Sequence, residues 1–333
     1  MSRALLRSVL RSAGIASAAT FAFTANQYRI VMTCYKPLPE PEGPTTGIAA
    51  PSTASKPRPS CRVVFVGDSL VMGVGSSRKS WAEGPPLPKR AAELIASRKS
   101  SAKESVRWSS FAVNGGDVRT LRRQLMPQIR RESATLGASE PVAAVVIVCG
   151  LNDWKHMLVD FRTPSVFRRD LAQLIAEIRA ELGADVRVVL PGLPSVAGAP
   201  FLGRHFPLRW CIDQVALAWD RQKILLAESI DGVEFVETGE FSFIYRYILR
   251  ESCSQFDSLP LTSLTIPLFV ETVSFTEISA SGGASDGPRR GGGGGGALNE
   301  DEGRPPYATD GLHPNEWGYG LWAEQIVSKV QWE

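Results

Sequence analysis

Four short motifs hold the residues of this chain that could carry out chemistry together. The first is Gly67-Asp68-Ser69-Leu70, which directly follows a β-branched run at 62–66. In an open parallel sheet, ligand sites form at the carboxyl ends of strands, so a serine there is exposed and its N–H can point into the site. The same residues are typical of an ordinary helix N-cap, so this motif alone leaves both a catalytic and a structural interpretation open.

Asp310-Gly311-Leu312-His313 is the second motif and precedes a predicted closing helix. An Asp three residues before a His can hold one imidazole nitrogen, and the other nitrogen is then free to act as a general base. Surface pairs with this spacing are also frequent, so the motif indicates a base only in combination with a nucleophile.

Two further motifs offer groups that stabilise an oxyanion. Asn152 follows the apolar run 142–148, and its side-chain N–H can donate to a developing negative charge. Asn114-Gly115-Gly116-Asp117 follows another predicted strand, where glycine lets a carbonyl approach a backbone N–H closely. Both motifs are equally compatible with plain turns and caps.

Alternating strand and helix patterns place these motifs at strand-to-helix junctions. Strands are predicted at 62–66, 106–113, 142–148, 186–190 and 233–236. Helices are predicted at 87–98, 118–131, 165–182, 214–230 and 317–330, with Pro127 as a weak point of the second. This alternation predicts βαβ units and a parallel sheet that is covered on both faces.

The rest of the chain has a different composition. Residues 1–35 are predicted to be a targeting or anchor segment, because Arg3, Arg7 and Arg11 recur without any acidic residue before position 40. An organelle transit peptide is favoured, and a secretory signal or membrane anchor is the alternative. The Pro- and Ser-rich stretch 36–60 is predicted to be a flexible linker. A folded domain over 61–333 would contain a low-complexity, glycine-rich insertion at about 250–305.

Composition excludes several classes of function. The net charge of +3 and the scattered basic residues argue against nucleic-acid binding. Five widely spaced cysteines and three separated histidines indicate neither a disulfide framework nor a metal site, so no metal or other cofactor is predicted. The glycine-rich stretch 73–77 lacks the parts of a phosphate-binding loop.

Taken in order, the four motifs resemble the SGNH (GDSL-type) hydrolase superfamily. The sequences GDSL, GLND and DGLH match its first, third and fifth blocks, and NGGD matches the second more loosely. The resemblance covers roughly 62–240 and 305–330. It implies an α/β fold, a flavodoxin-like three-layer α/β/α sandwich with a central parallel sheet of about five strands.

The resemblance also implies a role for each matching residue. Ser69 would be the nucleophile, His313 its general base and Asp310 the residue that orients His313. The oxyanion hole would comprise the Ser69 N–H, the Gly116 N–H and the Asn152 side chain. Gly116 is preferred to Gly115 because the family's glycine directly precedes a polar position, here Asp117. Asp68 and Asp153 are expected to brace the loops.

The expected function is a serine esterase or acyl hydrolase that cleaves a carboxylic ester, with lipid and lysophospholipid esters among the candidates, through an acyl-serine intermediate. An SGNH-type acyltransferase and a non-catalytic binding module on the same fold are the alternatives. The stretch 192–210 and the ending HPNEWGYGLWAEQI resemble a branch of FeeA/FeeB-like and lysophospholipase-like esterases. A small-molecule or lipid ester is therefore the expected partner, and a membrane surface is a further candidate.

Overall fold

The computed structural model describes most of the chain. The described residues are 3–50, 58–98, 104–136, 140–155, 157–160, 162–194, 199–202, 205–238 and 306–332. All of them belong to one compact unit. The predicted low-complexity insertion at about 250–305 lies outside the described residues.

Six strands form one sheet. They are β1 (Thr46–Ala49), β2 (Arg58–Gly67), β3 (Glu104–Ala112), β4 (Val142–Val148), β5 (Arg187–Pro191) and β6 (Val233–Val236). Their order in space is β1-β3-β2-β4-β5-β6. The strands β2 to β6 are mutually parallel, and β1 pairs antiparallel with β3. The predicted α/β class with about five parallel strands is confirmed, and the sheet has one further, antiparallel strand.

Ten helices are present in the described part of the chain. They are α1 (Arg3–Cys34), α2 (Ser69–Met72), α3 (Arg78–Glu83), α4 (Pro86–Arg98), α5 (Val118–Leu136), α6 (Leu151–Lys155), α7 (Met157–Asp160), α8 (Pro164–Leu182), α9 (Leu208–Ser229) and α10 (Glu316–Lys329). Pro127 lies inside α5 without ending it. Each helix predicted within 61–333 is present, and α9 begins earlier than expected.

The linker prediction for 36–60 is wrong at both 46–49 and 58–60. Residues 46–49 form the edge strand β1, and 58–60 extend β2 along β3. Gly47 lies directly against Trp108, where a Cβ atom would come within 2.6 Å of the indole ring. The sequence gives little sign of β1 because its partner strand lies some sixty positions away and the run Thr-Gly-Ile-Ala has no period of its own.

Side chains of β2 alternate between two apolar layers. Val63 and Phe65 join the core beneath α4 and α10, whereas Val64 and Val66 join the core beneath α5, α8 and α9. Apolar residues at successive positions are what a parallel strand needs when both of its faces are covered. The result is the three-layer α/β/α arrangement that the sequence predicted.

The strand order reverses direction at β2. Its two neighbours, β3 and β4, lie on opposite sides, and the chain visits β3 first. A crevice opens at the carboxyl ends of strands where such a reversal occurs, and ligands bind there in open α/β sheets. Ser69 follows β2 and Asn152 follows β4, so both residues lie at this crevice.

The predicted targeting segment forms the long helix α1, which packs against the region around α9. Gln27 donates from Nε2 to the Phe206 carbonyl at 2.8 Å, and its Oε1 accepts from the Leu208 N–H at 3.2 Å. Val31, one turn later, is buried. Among the described residues, no helix is both long enough and apolar enough to cross a membrane.

Candidate active site

Ser69 is held at a tight turn between β2 and α2. Asp68 is the N-cap of α2, and its Oδ1 accepts from the Leu70 N–H at 3.0 Å. The turn passes so close to β4 that a Cβ on Gly67 would lie 2.5 Å from the Val148 carbonyl oxygen. The motif therefore caps α2 and also places Ser69 at the carboxyl end of the sheet.

The loop before α10 carries Asp310 and His313. It is closed by an antiparallel bridge between Tyr307 and Pro314 and by the Ala308 N–H donating to the His313 carbonyl at 2.8 Å. Gly311 has φ +64°, a left-handed conformation that glycine adopts without strain. This turn folds Asp310 back over His313.

Ser69, His313 and Asp310 form a continuous chain of polar contacts. Ser69 Oγ lies 3.1 Å from His313 Nε2, and His313 Nδ1 lies 2.6 Å from Asp310 Oδ2. Both Ser69 and His313 are buried. The two motifs, 244 positions apart in sequence, thus meet with the spacing of a nucleophile, a base and an orienting carboxylate.

Asp310 is poised to stay ionised. Burial raises the pKa of its carboxyl, but hydrogen bonds from the His313 ring and from the Leu312 and His313 N–H groups outweigh this effect and lower it below its usual value. Each of those two backbone bonds to Oδ1 measures 3.0 Å. An anionic Asp310 favours a proton on His313 Nδ1, and Nε2 is then left as the acceptor that faces Ser69.

The amide of Asn152 is fixed by three partners. Its Nδ2 donates to Asp68 Oδ2 at 2.9 Å and to the Gly116 carbonyl at 3.3 Å. Its Oδ1 accepts from Lys155 Nζ at 2.9 Å. Burial raises the pKa of Asp68, while the Leu70 N–H and the charge of Lys155 lower it. The two bonds of Nδ2 thus hold the Asn152 amide beside the turn that carries Ser69.

Gly116 lies beside Asn152, but its N–H already donates a hydrogen bond within a turn. This N–H donates to the Val113 carbonyl at 3.0 Å within the turn that follows β3. A Cβ at Gly116 would lie 2.8 Å from Leu121 Cδ2, so the close packing explains the glycine. The predicted role of this N–H as an oxyanion donor stays a prediction, because the turn bond would have to be exchanged for it.

A buried arginine joins the loop of Asp117 to the loop of Asp153, and no sequence motif indicates it. Arg162 bonds Asp117, lies 3.1 Å from Asp153 Oδ1 and contacts Asp170 Oδ2 at 2.9 Å. Asp153 also accepts from the Val118 N–H with both oxygens, at 3.2 Å each. Burial raises the pKa of Asp153 to about 7, against the lowering effect of Arg162.

The glycine-rich stretch 73–77 packs closely against the loop that carries His313. Gly75 has φ +100°, and a Cβ there would lie 2.6 Å from the Pro314 carbonyl oxygen and 2.9 Å from His313 Cβ. Tyr319 of α10 donates to the Val74 carbonyl at 2.7 Å. The glycines of this stretch were compared only with a phosphate-binding loop, so their packing role was not predicted.

No group of three or more residues with metal-binding side chains occurs in the part of the chain that the structure describes. Nothing in the chemistry of Ser69, His313 and Asp310 requires a cofactor.

A serine, a histidine and a carboxylate in hydrogen-bonded series at the switch point of a parallel sheet define the class of serine hydrolases with this fold. The family model of the GDSL-like lipase/acylhydrolase family matches residues 65–242, more than half of the chain. The chain belongs to this family and is a hydrolase of ester bonds. The matched region contains Ser69, Gly116 and Asn152, while Asp310 and His313 lie beyond it.

Several solved structures are similar to the chain at low identity. The lipase Lip_vut3 from a goat rumen metagenome is 15% identical, with 80% of this chain and 96% of that chain covered and a TM-score of 0.46. A catalytic mutant of Axe2, an acetylxylan esterase from Geobacillus stearothermophilus, is 16% identical, with 83% and 96% covered and a TM-score of 0.46. A lipolytic protein of the G-D-S-L family from Veillonella parvula is 14% identical, with 80% and 97% covered and a TM-score of 0.38. No curated protein matches the chain significantly.

Proposed function

We propose that Ser69 is the nucleophile of this ester hydrolase, with His313 as its general base and Asp310 as the residue that orients His313. The observation that carries the proposal is the unbroken contact series from Ser69 Oγ through the His313 ring to Asp310 Oδ2, at 3.1 and 2.6 Å.

The reaction would proceed in two halves. His313 Nε2 takes the proton of Ser69 as Oγ bonds to the ester carbonyl carbon, and the alcohol leaves with that proton when the ester C–O bond breaks. Water then attacks the acyl-serine, again giving its proton to His313. The acid departs and Ser69 recovers its proton, so the enzyme returns to its starting state.

The oxyanion of each tetrahedral intermediate needs preorganised donors. We assign this role to the Ser69 N–H and to Asn152 Nδ2. Asn152 would exchange its longer bond, 3.3 Å to the Gly116 carbonyl, for the oxyanion and keep its 2.9 Å bond to Asp68. The Gly116 N–H would join them only if its turn bond to Val113 is released.

We further propose that the ester is of lipid type, with lysophospholipid as one member of the class. The similarity of 192–210 and of the ending after His313 to FeeA/FeeB-like and lysophospholipase-like esterases supports this choice, as does the apolar surface described in the next subsection. A series of nitrophenyl esters of increasing acyl length tests it. Turnover that peaks at acetate and falls with each added carbon pair would contradict it.

We propose that the protein is directed to an organelle, with secretion or membrane anchoring as the alternative. The support is the run of arginines without acidic residues at the N-terminus. The contacts of Gln27 with Phe206 and Leu208 support retention of the second half of α1 in the working enzyme. N-terminal sequencing of the protein recovered from cells tests both points.

Replacement of Ser69 tests the catalytic assignment directly. Ser69→Ala should abolish hydrolysis of a nitrophenyl ester and labelling by a fluorophosphonate probe. Ser76→Ala is the matched control, because Ser76 is a nearby buried serine whose hydroxyl bonds only the Gly73 carbonyl and the Trp81 indole among the described contacts. Unchanged turnover in Ser69→Ala would contradict the assignment of Ser69 as the nucleophile.

A further inference from the structure

Most of the exposed large apolar side chains lie on two neighbouring helices, α1 and α9, or just before α9. Within the described residues, seven such side chains are exposed, and six of them lie on α1 or on α9 and the residues just before it. The six are Phe21, Phe23, Ile30, Phe206, Trp210 and Leu217. Scattered single apolar residues are normal on a surface, but a concentration of this kind marks an interaction site. Phe21 lies about 160° around α1 from Phe23. We call the other five residues the α1–α9 face.

The packing of α1 explains why this face is turned outward. Gln27 and Val31, one helical turn apart, are buried against the domain. Phe21 and Phe23 remain 72% and 55% exposed. Phe23 and Ile30, seven residues apart, lie on the flank of the helix that borders its inner side, which is held by the Gln27 bonds to Phe206 and Leu208.

A groove runs along the junction of the two helices. It has a volume of about 710 Å³ and is lined by Ala19, Thr20, Phe23, Phe206, Pro207 and Trp210. Trp210 and Phe206 are 56% and 74% exposed at its rim. Aromatic rings of this kind favour the boundary between lipid headgroups and acyl chains.

Charge identifies the kind of partner. The second half of α1 and the residues that follow it up to position 39 carry the basic side chains Arg29 and Lys36 and no acidic side chain. Arg209 adds a further basic residue in the first turn of α9. An acid-free helical segment that exposes both apolar and basic side chains suits an anionic lipid surface, because electrostatic attraction and apolar burial then both favour binding.

The C-terminal end of α1 lies close to the loop that carries Asp310 and His313. Tyr35, immediately after α1, stacks edge-on against Phe201 with ring centroids 5.8 Å apart. The Phe201 N–H donates to the Gly311 carbonyl at 3.3 Å, between Asp310 and His313. Gln27 and Tyr35 are separated by about 12 Å along the helix axis. The end of α1 is thus connected to the loop that carries Asp310 and His313 through Tyr35 and Phe201.

We propose that the α1–α9 face docks this enzyme onto an anionic lipid surface, with the second half of α1 lying in the interface and the aromatic rings of Phe23, Phe206 and Trp210 entering it. This step deepens the proposed function, because a docked enzyme would hydrolyse esters that the surface presents. It does not depend on which acyl chain Ser69 accepts.

The experiment uses the full chain and sedimentation with vesicles of phosphatidylcholine, alone or mixed with an equal amount of phosphatidylglycerol. Wild type should bind the mixed vesicles, and binding should weaken as NaCl rises from about 0.05 M to about 0.5 M. Phe23→Ser/Trp210→Ser should bind at least about tenfold more weakly. Ile48→Ser is the matched control, since Ile48 is 42% exposed on the edge strand β1. Leu217→Ser provides a second, milder variant of the face.

Hydrolysis of a soluble nitrophenyl ester and fluorophosphonate labelling are measured on the same samples. Retained activity with weakened binding supports the docking face. Equal binding by wild type and by both face variants overturns it, and so does an absence of vesicle binding by wild type. A wild-type dimer that the double variant dissociates, without vesicle binding, would make the face an interface between copies and overturn the proposal. Loss of activity in wild type with vesicle binding intact would instead contradict the proposed function.

Discussion

Lys155 Nζ donates a hydrogen bond of 2.9 Å to Asn152 Oδ1 from the next turn of the same short helix. With its oxygen held there, the Asn152 amide must direct Nδ2 towards Asp68 and Gly116. Lys155 has no part in the chemical steps, but it fixes the orientation of the proposed oxyanion donor. It is therefore a positioning residue.

We expect Lys155→Met to lower kcat about tenfold with little change in KM, a smaller loss than removal of the donor itself. Burial lowers the pKa of Lys155 below its usual value, against the raising effect of Asp68. The wild-type pH profile should therefore decline on the alkaline side as this charge is lost, and Lys155→Met should lack that decline. Lys89→Met, on α4, is the control and should match wild type. In an Asn152→Ala background, a further tenfold loss from Lys155→Met would contradict positioning through Asn152.

Asn152→Ala should reduce kcat by about 100- to 1000-fold while KM changes little, because the interaction is made with the oxyanion of the transition state. Steady-state kinetics on a nitrophenyl ester measure this. Asn114→Ala is the control, since Asn114 is exposed and its Nδ2 donates to Glu40 at 3.0 Å. If both variants retain wild-type kcat, Asn152 is only a structural link between the loops.

The lowered pKa of Asp310 predicts a pH dependence of stability. A carboxyl whose pKa is lower in the folded than in the unfolded chain stabilises the fold above its unfolded value of about 3.9, and this contribution is lost as pH falls through the folded value. Urea unfolding at neutral pH and at about pH 3 should show a larger fall for wild type than for Asp310→Asn. Parallel losses in the two proteins would show that the charge of Asp310 does not stabilise the fold.

The sequence predicts the parts of the site that lie within short motifs at strand ends. Ser69, Asn152, Asp310 and His313 each follow or precede an element with a clear hydrophobic period, so their meeting at one edge of the sheet could be expected. The bonds that hold these residues in place could not be expected from the sequence. Arg162, for example, lies 45 positions from Asp117 and in no motif. The edge strand β1 was missed for the same reason, since its pairing with β3 is not local. The turn bond of Gly116 is likewise a matter of backbone geometry that residue types do not reveal.

Arg162 should be the main stabilising residue of the loops around Asn152. Its side chain is 3% exposed and faces the carboxylates of Asp117, Asp153 and Asp170. Arg162→Met fills much of the same space but removes this cation from Asp117 and Asp153, while Asp170 keeps Arg119 and Arg169. We therefore expect the free energy of unfolding to fall by about 3–5 kcal/mol, as measured by urea denaturation.

Arg119→Met is the matched control for this prediction. Arg119 also bonds Asp170, at 2.6 Å, but its side chain is 52% exposed, so its loss should cost no more than about 1 kcal/mol. A variant Arg162→Met as stable as Arg119→Met would mean that the buried acids are satisfied without Arg162. If Arg162→Met keeps its fold but loses kcat as Asn152→Ala does, the arginine acts chiefly by placing the Asn152 loop. Comparing the loss of stability with the loss of kcat in Arg162→Met thus separates support of the fold from support of the proposed oxyanion hole.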